Sequence, residues 1–191
     1  MSTITLCAFG NSLTAGFGLP EAASMPRQLL QNLEADGYRV KIANHGLSGD
    51  TTAGGLTRIQ TALRPRPDLV ILELGINDIL MGLPAHRIKR NLERLIQACL
   101  HARAQVLLAG FTAVPGIPQE EAEQFNALYP DLAQSYNLHL FPDFLEGVVG
   151  NPDLTLPDGL HPNVQGIASI VNRLTPLLER LLEIMRTGEK E

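Results

Sequence analysis

Asp158 and His161 lie three residues apart near the C-terminal end, in the pentapeptide Asp158-Gly159-Leu160-His161-Pro162. In a loop bounded by glycine and proline, an acid and a histidine at this spacing can be held against one another. A histidine that is oriented by a carboxylate acts as a general base for a hydroxyl or thiol nucleophile. The pentapeptide therefore predicts one half of a nucleophilic catalytic site.

The other half is predicted at the opposite end of the chain. Ser12 lies in Phe9-Gly10-Asn11-Ser12-Leu13-Thr14, directly after the first apolar run. Acyl transfer requires a nucleophile, a base, a group that orients the base, and donors for the oxyanion of the tetrahedral intermediate. Ser12 supplies the nucleophile in this hypothesis, His161 removes its proton, and Asp158 fixes the tautomer of the imidazole and stabilises the imidazolium.

Three groups are candidates for the oxyanion hole. The first is the backbone N–H of Ser12, if a helix begins there. The second is Gly49 in Ser48-Gly49-Asp50, since a glycine lets the main chain approach a ligand closely. The third is the side-chain amide of Asn77 in Gly75-Ile76-Asn77-Asp78, which donates without a change of charge.

Each of these residues also has an ordinary structural explanation. Ser12 could be a turn or cap residue, Asp158 could begin a turn, and His161 could be a surface histidine. Gly49 could be a turn glycine, and Asn77 and Asp78 could cap the following segment. The catalytic hypothesis is favoured because all the blocks follow strands of one predicted sheet, in the order that the chemistry needs.

Strand and helix patterns alternate along the chain. Five apolar runs predict buried strands, at Ile4–Phe9, Tyr38–Ala43, Leu69–Leu74, Gln105–Ala109 and Leu138–Phe141. Helices are predicted at 26–35 after a Ser24 cap, from a cap at Asp50 or Thr51 to 63, and at 84–102, 119–134 and 163–185. This alternation predicts an α/β fold with a parallel sheet covered on both faces. Ligands bind at the carboxyl edge of such sheets, where the suspected loops lie.

Composition indicates one globular domain, which we expect to span residues 1–186, followed by a polar tail at 187–191 that frays. Hydrophobic residues make up 45% of the 191 residues and charged residues 18%, which argues against disorder. The formal net charge of -5 disfavours nucleic acid or an anionic membrane surface as a partner, since no basic patch is visible. A small molecule is the expected partner, and the oligomeric state is left open.

Cysteine and histidine positions predict neither a disulfide nor a metal site. Cys7 falls in an apolar strand and Cys99 in a helical pattern, so both are expected to be buried thiols. The remaining histidines are His45, His86, His101 and His139, and their spacing is not typical of metal ligands. No metal or cofactor is therefore expected.

Hydropathy predicts no membrane span, because no apolar run approaches about 18 residues. The N-terminus lacks the basic cluster of a secretory signal, so the sequence as written predicts a cytoplasmic protein. Removal of a signal from a precursor would instead place the protein in the periplasm or outside the cell.

Together these blocks resemble the SGNH, or GDSL, hydrolase family. The likeness is carried by Gly10-Asn11-Ser12-Leu13, Gly49 in its Ser-Gly-Asp-Thr setting, Gly75-Ile76-Asn77-Asp78 and Asp158-Gly159-Leu160-His161-Pro162, with Ala127-Leu128-Tyr129-Pro130 before the fifth strand. The branch of small bacterial thioesterases, lysophospholipases and arylesterases is the most similar. The resemblance implies a flavodoxin-like three-layer α/β/α sandwich with a five-stranded parallel sheet.

The same resemblance implies a function and a set of site residues. It implies hydrolysis of acyl or aryl esters, and of thioesters, without a metal or cofactor. It assigns the catalytic triad to Ser12, Asp158 and His161. It assigns the oxyanion hole to the Ser12 amide, Gly49 and Asn77.

One residue departs from the family pattern, because Asn11 stands where the family usually has aspartate. Asn11 has no proton-transfer role in the proposed mechanism, so we expect activity to survive. Two alternatives remain open at this point: a non-catalytic module that binds acyl ligands on the same fold, and an acyltransferase.

The expected walls of the substrate pocket are apolar. They are the segments 16–25, 79–86 and 111–119, which contain Phe17, Leu19, Ile79, Leu80, Met81, Leu83, Val114 and Ile117. Such walls fit an acyl chain or an aromatic ester better than a charged sugar.

Overall fold

A computed structural model describes residues 3–188 as a five-stranded parallel sheet between layers of helices. The strand order is β2-β1-β3-β4-β5. The strands are β1 (Ile4–Gly10), β2 (Val40–Gly46), β3 (Leu69–Glu73), β4 (Gln105–Ala109) and β5 (His139–Phe141). The predicted fold class and the number of strands are confirmed.

Seven α-helices cover the sheet within residues 3–188. They are α1 (Ser12–Ala15), α2 (Met25–Ala35), α3 (Thr52–Leu63), α4 (Ile76–Leu80), α5 (Ala85–His101), α6 (Gln119–Tyr136) and α7 (Val164–Thr187), and a short 3₁₀ turn lies at Glu21–Ala23. On one face α2 packs against α7, and on the other α3, α5 and α6 pack in succession. The structure is therefore the three-layer sandwich that the sequence predicted. In the described part of the chain, no helix combines the length and apolar character needed to cross a bilayer.

The centre of the core is β3, in which all five side chains are buried. A strand between two others in a parallel sheet has helices on both faces, so it reads as a continuous apolar run. Glu73, at the end of β3, is the one residue of the strand that is not apolar, and it is also fully buried.

The predicted position of the second strand was wrong by several residues. Residues 38–39 instead lie in the turn that follows α2, where Gly37 adopts a left-handed conformation and the Tyr38 N–H donates to the Leu33 carbonyl. The strand then continues to Gly46, which pairs with Gly10 of β1. Because β2 is an edge strand, polar residues such as Asn44 are tolerated in it and hide its true extent.

Two helix caps were predicted, and both residues occupy the N-cap position, but only Thr51 caps its helix with the side chain. Thr51 caps α3, with its hydroxyl accepting from the Gly54 N–H at 3.1 Å. Ser24 precedes α2, but its Oγ is buried and makes no hydrogen bond among the described residues. The Ser24 position is thus an N-cap by backbone geometry alone.

The C-terminal helix runs two residues further than predicted. Thr187, expected in the tail, is the last residue of α7, and Gly188 ends the helix in a left-handed conformation. The rest of the predicted tail, at 189–191, lies outside the described residues.

Strand order brings the suspected loops together. The chain moves from β1 to β2 on one side of β1 and then crosses to β3 on its other side. The loops after β1, β2 and β3 therefore open at the same carboxyl edge, on both sides of the point where the strand order reverses. This is the edge that the sequence motifs indicated.

Tyr129 on α6 anchors the end of β3. Its side chain is buried, and its hydroxyl donates to the Leu74 carbonyl at 3.0 Å. A Cβ at Gly75 would collide with this hydroxyl, and Gly75 has a φ of 123° that side chains rarely adopt. The tyrosine thus fixes the turn that leads into α4 and Asn77.

Replacing Tyr129 by phenylalanine should lower the free energy of unfolding by about 1–2 kcal/mol, because the Leu74 carbonyl is left buried without this donor. Thermal unfolding should show a lower midpoint. Tyr136→Phe on the same helix is the control, since its hydroxyl bonds to Gln97 at an exposed position, and its midpoint should be near that of the wild type. Equal effects of the two substitutions would contradict the anchoring role of Tyr129.

Candidate active site

Ser12 is the first residue of α1, and a single residue, Asn11, separates it from the end of β1. Its side chain is nearly buried, and its Oγ lies 3.0 Å from Nε2 of His161. The two residues are separated by 149 positions in the sequence. The serine and histidine that the motifs paired are therefore in hydrogen-bonding contact.

His161 is held on its other side by Asp158, with Nδ1 of the ring 2.6 Å from Oδ2 of the carboxylate. The second oxygen, Oδ1, accepts the backbone N–H groups of Leu160 and His161, each at 2.9 Å. Hydrogen bonds lower the pKa of Asp158 from 3.8 to about 2, and the bond from the Leu160 amide has the largest effect, ahead of those from His161. The stabilisation linked to this shift is present above pH 4 and is lost as the pH falls towards 2.

The loop that carries Asp158 and His161 is closed by its own hydrogen bonds. Thr155 and Pro162 form an antiparallel bridge, and the Leu156 N–H donates to the His161 carbonyl at 2.7 Å. Asn163 then caps α7, with its Oδ1 accepting from the Gly166 N–H at 2.9 Å. The loop of Asp158 and His161 is thus closed at its base by the bridge and is followed directly by a helix cap.

Phe17 covers one face of the histidine. The centres of the two rings are 4.5 Å apart with an angle of 38° between their planes, and Phe17 remains 48% exposed. The ring restricts the imidazole on the side towards solvent.

The three predicted oxyanion donors come from three loops at this edge. The N–H groups of Ser12 and Gly49 make no hydrogen bond within residues 3–188, which leaves both available to a ligand. Gly49 has a φ of 79°, a conformation that favours glycine. Asn77 donates one amide hydrogen to the Asp50 carbonyl at 2.8 Å, and its second hydrogen remains for a ligand.

Arg58 on α3 holds the loop that contains Gly49. Its guanidinium bonds the Asp50 carboxylate at 2.6 and 2.7 Å, the His45 carbonyl at 2.6 Å and the Gly10 carbonyl at 2.9 Å. The same group lies over the Phe9 ring, 4.0 Å from its centre. One side chain therefore connects the ends of β1 and β2 with the loop of the second predicted donor.

Asp78 connects the third donor loop to α3. Its carboxylate accepts from the Thr52 backbone N–H at 3.0 Å and from the Thr52 hydroxyl at 2.5 Å. Asn91 donates to that hydroxyl at 2.9 Å. Burial raises the pKa of Asp78, and the Thr52 hydrogen bonds oppose the rise. Asp78, predicted only as a possible cap, is a buried link between loops.

The remaining predicted residues lie outside this arrangement. Cys7 and Cys99 are buried thiols, as expected, and burial raises the pKa of each to about 12. His45 lies in β2, one residue before its end, and burial lowers the pKa of its imidazole. In the described range, no group of three or more His, Cys, Asp or Glu side chains is placed to hold a metal ion.

The sequence profile of the GDSL-like lipase/acylhydrolase family matches residues 8–168. The chain belongs to the GDSL-like lipase/acylhydrolase family. The chain is accordingly an acylhydrolase of this family.

Relatives of this acylhydrolase are esterases and thioesterases. An arylesterase of Vibrio mimicus is 37% identical over 82% of this chain and 79% of its own. Esterase TesA of Pseudomonas aeruginosa is 34% identical over 93% of this chain and 89% of its own. Thioesterase 1/protease 1/lysophospholipase L1 of Escherichia coli is 31% identical over 93% of this chain and 85% of its own. The crystal structure of TesA superimposes with a TM-score of 0.88 at 34% identity, over 93% of this chain and 99% of that one.

The structural roles of three residues of this GDSL-like acylhydrolase were missed by the sequence analysis: Glu73, Arg58 and Asp78. Glu73 had a visible signal, since an acid interrupts the apolar run 69–74 one residue before its end. An acid inside a buried strand requires partners, which could have directed attention to this position. Arg58 had no such signal, because an arginine in an amphipathic helix resembles any solvent-facing cation.

Replacing Arg58 by lysine should lower kcat/KM of this acylhydrolase about tenfold or more, mainly through kcat. A lysine cannot make the forked contacts to Asp50 and two carbonyls, so the loop of Gly49 loses its fixed position. Steady-state kinetics with an aryl ester measure the effect. Arg64→Lys, an exposed change at the end of the same helix, is the control and should match the wild type. Unchanged kcat in Arg58→Lys would contradict the clamp.

Proposed function

We propose that this chain is a serine esterase that works through an acyl-enzyme on Ser12. The observation that carries the proposal is the continuous relay from Ser12 Oγ to His161 Nε2 at 3.0 Å and from His161 Nδ1 to Asp158 Oδ2 at 2.6 Å. These distances are in the range in which a base can remove the serine proton. The family membership supports the same chemistry.

In the proposed reaction, Ser12 Oγ attacks the ester carbonyl while His161 Nε2 takes its proton. Asp158 stays ionised and stabilises the imidazolium through Nδ1–H, since its pKa is about 2. His161 then protonates the departing alcohol, and the acyl group remains on Ser12. Water, activated by His161, releases the acid and restores the free serine.

The negative oxygen of the tetrahedral intermediate is proposed to accept from the N–H groups of Ser12 and Gly49 and from the amide of Asn77. The Asp50 carbonyl fixes Asn77, and Arg58 fixes Asp50. Donors held in this way need no rearrangement when the charge develops, which is the main source of such stabilisation.

A fluorophosphonate should label the protein once, on Ser12, because only an activated serine reacts with it. Mass spectrometry of the digested adduct identifies the site. Ser12→Ala should abolish labelling and turnover, and Asp158→Asn should lower kcat roughly a thousandfold or more. Ser135→Ala, an exposed serine on α6, is the control and should be labelled like the wild type. Labelling at another residue, or none in folded protein, would contradict the proposal.

The substrate class is proposed from the apolar side chains around the site. Four large hydrophobic residues are exposed on the loops at this edge: Phe17 (48%), Leu47 (52%), Leu80 (43%) and Met81 (75%). Phe17 contacts His161, and the Leu47 N–H donates to the Gly10 carbonyl beneath the site. Exposed apolar groups on the segments after three neighbouring strands favour an acyl chain or an aryl group as the bound moiety.

The expected pocket walls are present only in part. Phe17, Leu80 and Met81 are exposed as the hypothesis requires, whereas Ile79 and Phe111 are buried in the core. Leu47 was not anticipated, because it lies in the short turn before Gly49. The apolar rim is thus proposed to come from the loops after β1, β2 and β3.

Medium-chain and aryl esters should have a higher kcat/KM than acetylated sugars, because only the former bury apolar surface against this rim. A series of nitrophenyl esters of increasing chain length, together with acyl-CoA thioesters and acetylated sugars, measures the preference. Met81→Ser should reduce the preference for longer chains more than it reduces acetate turnover. Faster turnover of acetylated sugars than of the longer esters would contradict the proposed substrate class.

A further inference from the structure

Glu73 is a fully buried acid beneath the loop that carries the nucleophile. It is the last residue of β3 and pairs in register with Gly10, the last residue of β1. A Cβ on Gly10 would collide with the Glu73 carboxylate, so the acid packs directly against the backbone there. A buried acid is costly unless hydrogen bonds satisfy it, so its partners matter.

Those partners lie on either side of Ser12. The Asn11 backbone N–H donates to Oε2 of Glu73 at 3.2 Å, and the Asn11 side-chain Nδ2 donates to Oε1 at 2.7 Å. The Thr14 hydroxyl bonds Oε2 at 2.7 Å. Glu73 therefore holds the nucleophile loop from below at the residue before Ser12 and two residues after it.

Asn11 uses the two ends of its amide in different directions. Its NH₂ group faces Glu73, and its Oδ1 accepts from the Leu13 N–H at 2.9 Å, which caps α1. The Ser12 hydroxyl is 3.4 Å from the same oxygen. An aspartate at position 11 would place an oxygen 2.7 Å from Oε1 of Glu73. Two carboxyl groups at that distance need a shared proton.

Burial raises the pKa of Glu73 to about 8, and the bonds from Thr14 and Asn11 oppose the rise. The charged and titratable groups around it come from three helices and the triad loop: Arg58, Asp78, Tyr129 and His161. None of these four bonds the Glu73 carboxyl in the described structure. The Asn11 amide can donate to Glu73 in either protonation state, and a proton on Oε2 can be donated to the Thr14 hydroxyl.

We propose that Glu73 is a positioning residue for Ser12, acting through Asn11, and that the amide at position 11 keeps the loop in place whether or not Glu73 carries its proton. This inference rests on the proposed role of Ser12. In this chain the Asn11 amide gives Glu73 a permanent N–H donor, where an aspartate at position 11 would need a proton shared with Glu73.

Exchanging the two groups tests the proposal. In Asn11→Asp, kcat/KM for an aryl ester should fall at least tenfold more than in the wild type between pH 7 and pH 9.5, because two facing carboxyl groups lose their shared proton. In Glu73→Gln, kcat/KM should be at least tenfold below that of the wild type at every pH. Either orientation of the glutamine turns its NH₂ towards an Asn11 donor.

The double variant Asn11→Asp/Glu73→Gln should recover to within about threefold of the wild type. Its glutamine oxygen can accept from the backbone N–H of residue 11 and from Thr14, while its NH₂ donates to the new aspartate. The control is Asn172→Asp, which adds the same charge at an exposed position on α7 and should follow the wild-type pH profile. A pH profile of Asn11→Asp parallel to the wild type, or losses that multiply in the double variant, would overturn the proposal.

Thermal unfolding separates this inference from the proposed function. At pH 9 each single variant should unfold about 5 °C or more below the wild type, and the double variant should regain most of that difference. If the wild type hydrolyses no ester, the proposed function fails while these midpoints still test the pair. Additive decreases in the double variant would overturn the positioning pair even in an active enzyme.

Discussion

The proposed chemistry depends on one interaction, the contact between Ser12 Oγ and His161 Nε2. It joins the first loop of the sheet to the last loop before α7, across almost the whole chain. No local preference can bring such distant residues together, so the contact depends on the parallel sheet placing both loops at one edge. The sheet therefore acts as the scaffold of the site.

Beneath this contact, buried and half-buried polar groups fix the loops that strand geometry alone would leave adjustable. Glu73 holds the residues around Ser12, Arg58 holds the loop of Gly49, and Asp78 holds α4 against α3. Each of these groups is costly to bury and is compensated by several hydrogen bonds. The proposed oxyanion hole of three donors requires such rigidity, because a loosely held donor contributes little.

The sequence predicted the parts of the molecule that follow from periodicity and motif order. The strands 69–73 and 105–109 were found nearly to the residue, because buried central strands are continuous apolar runs. The edge strand β2 was misplaced, since its polar residues carry no such pattern. Arg58 and Glu73 were missed because their roles depend on contacts between elements. Asn11 was noticed as a departure, but its partner could be identified only once β1 and β3 were paired.

The most direct test of the account is a crystal structure of the protein after reaction with a phosphonate ester. We expect phosphorus bonded to Ser12 Oγ, with one phosphoryl oxygen about 3 Å from the N–H groups of Ser12 and Gly49 and from Nδ2 of Asn77. His161 should keep its contact with Asp158. An adduct on another side chain, or a phosphoryl oxygen that points away from these donors, would contradict the account.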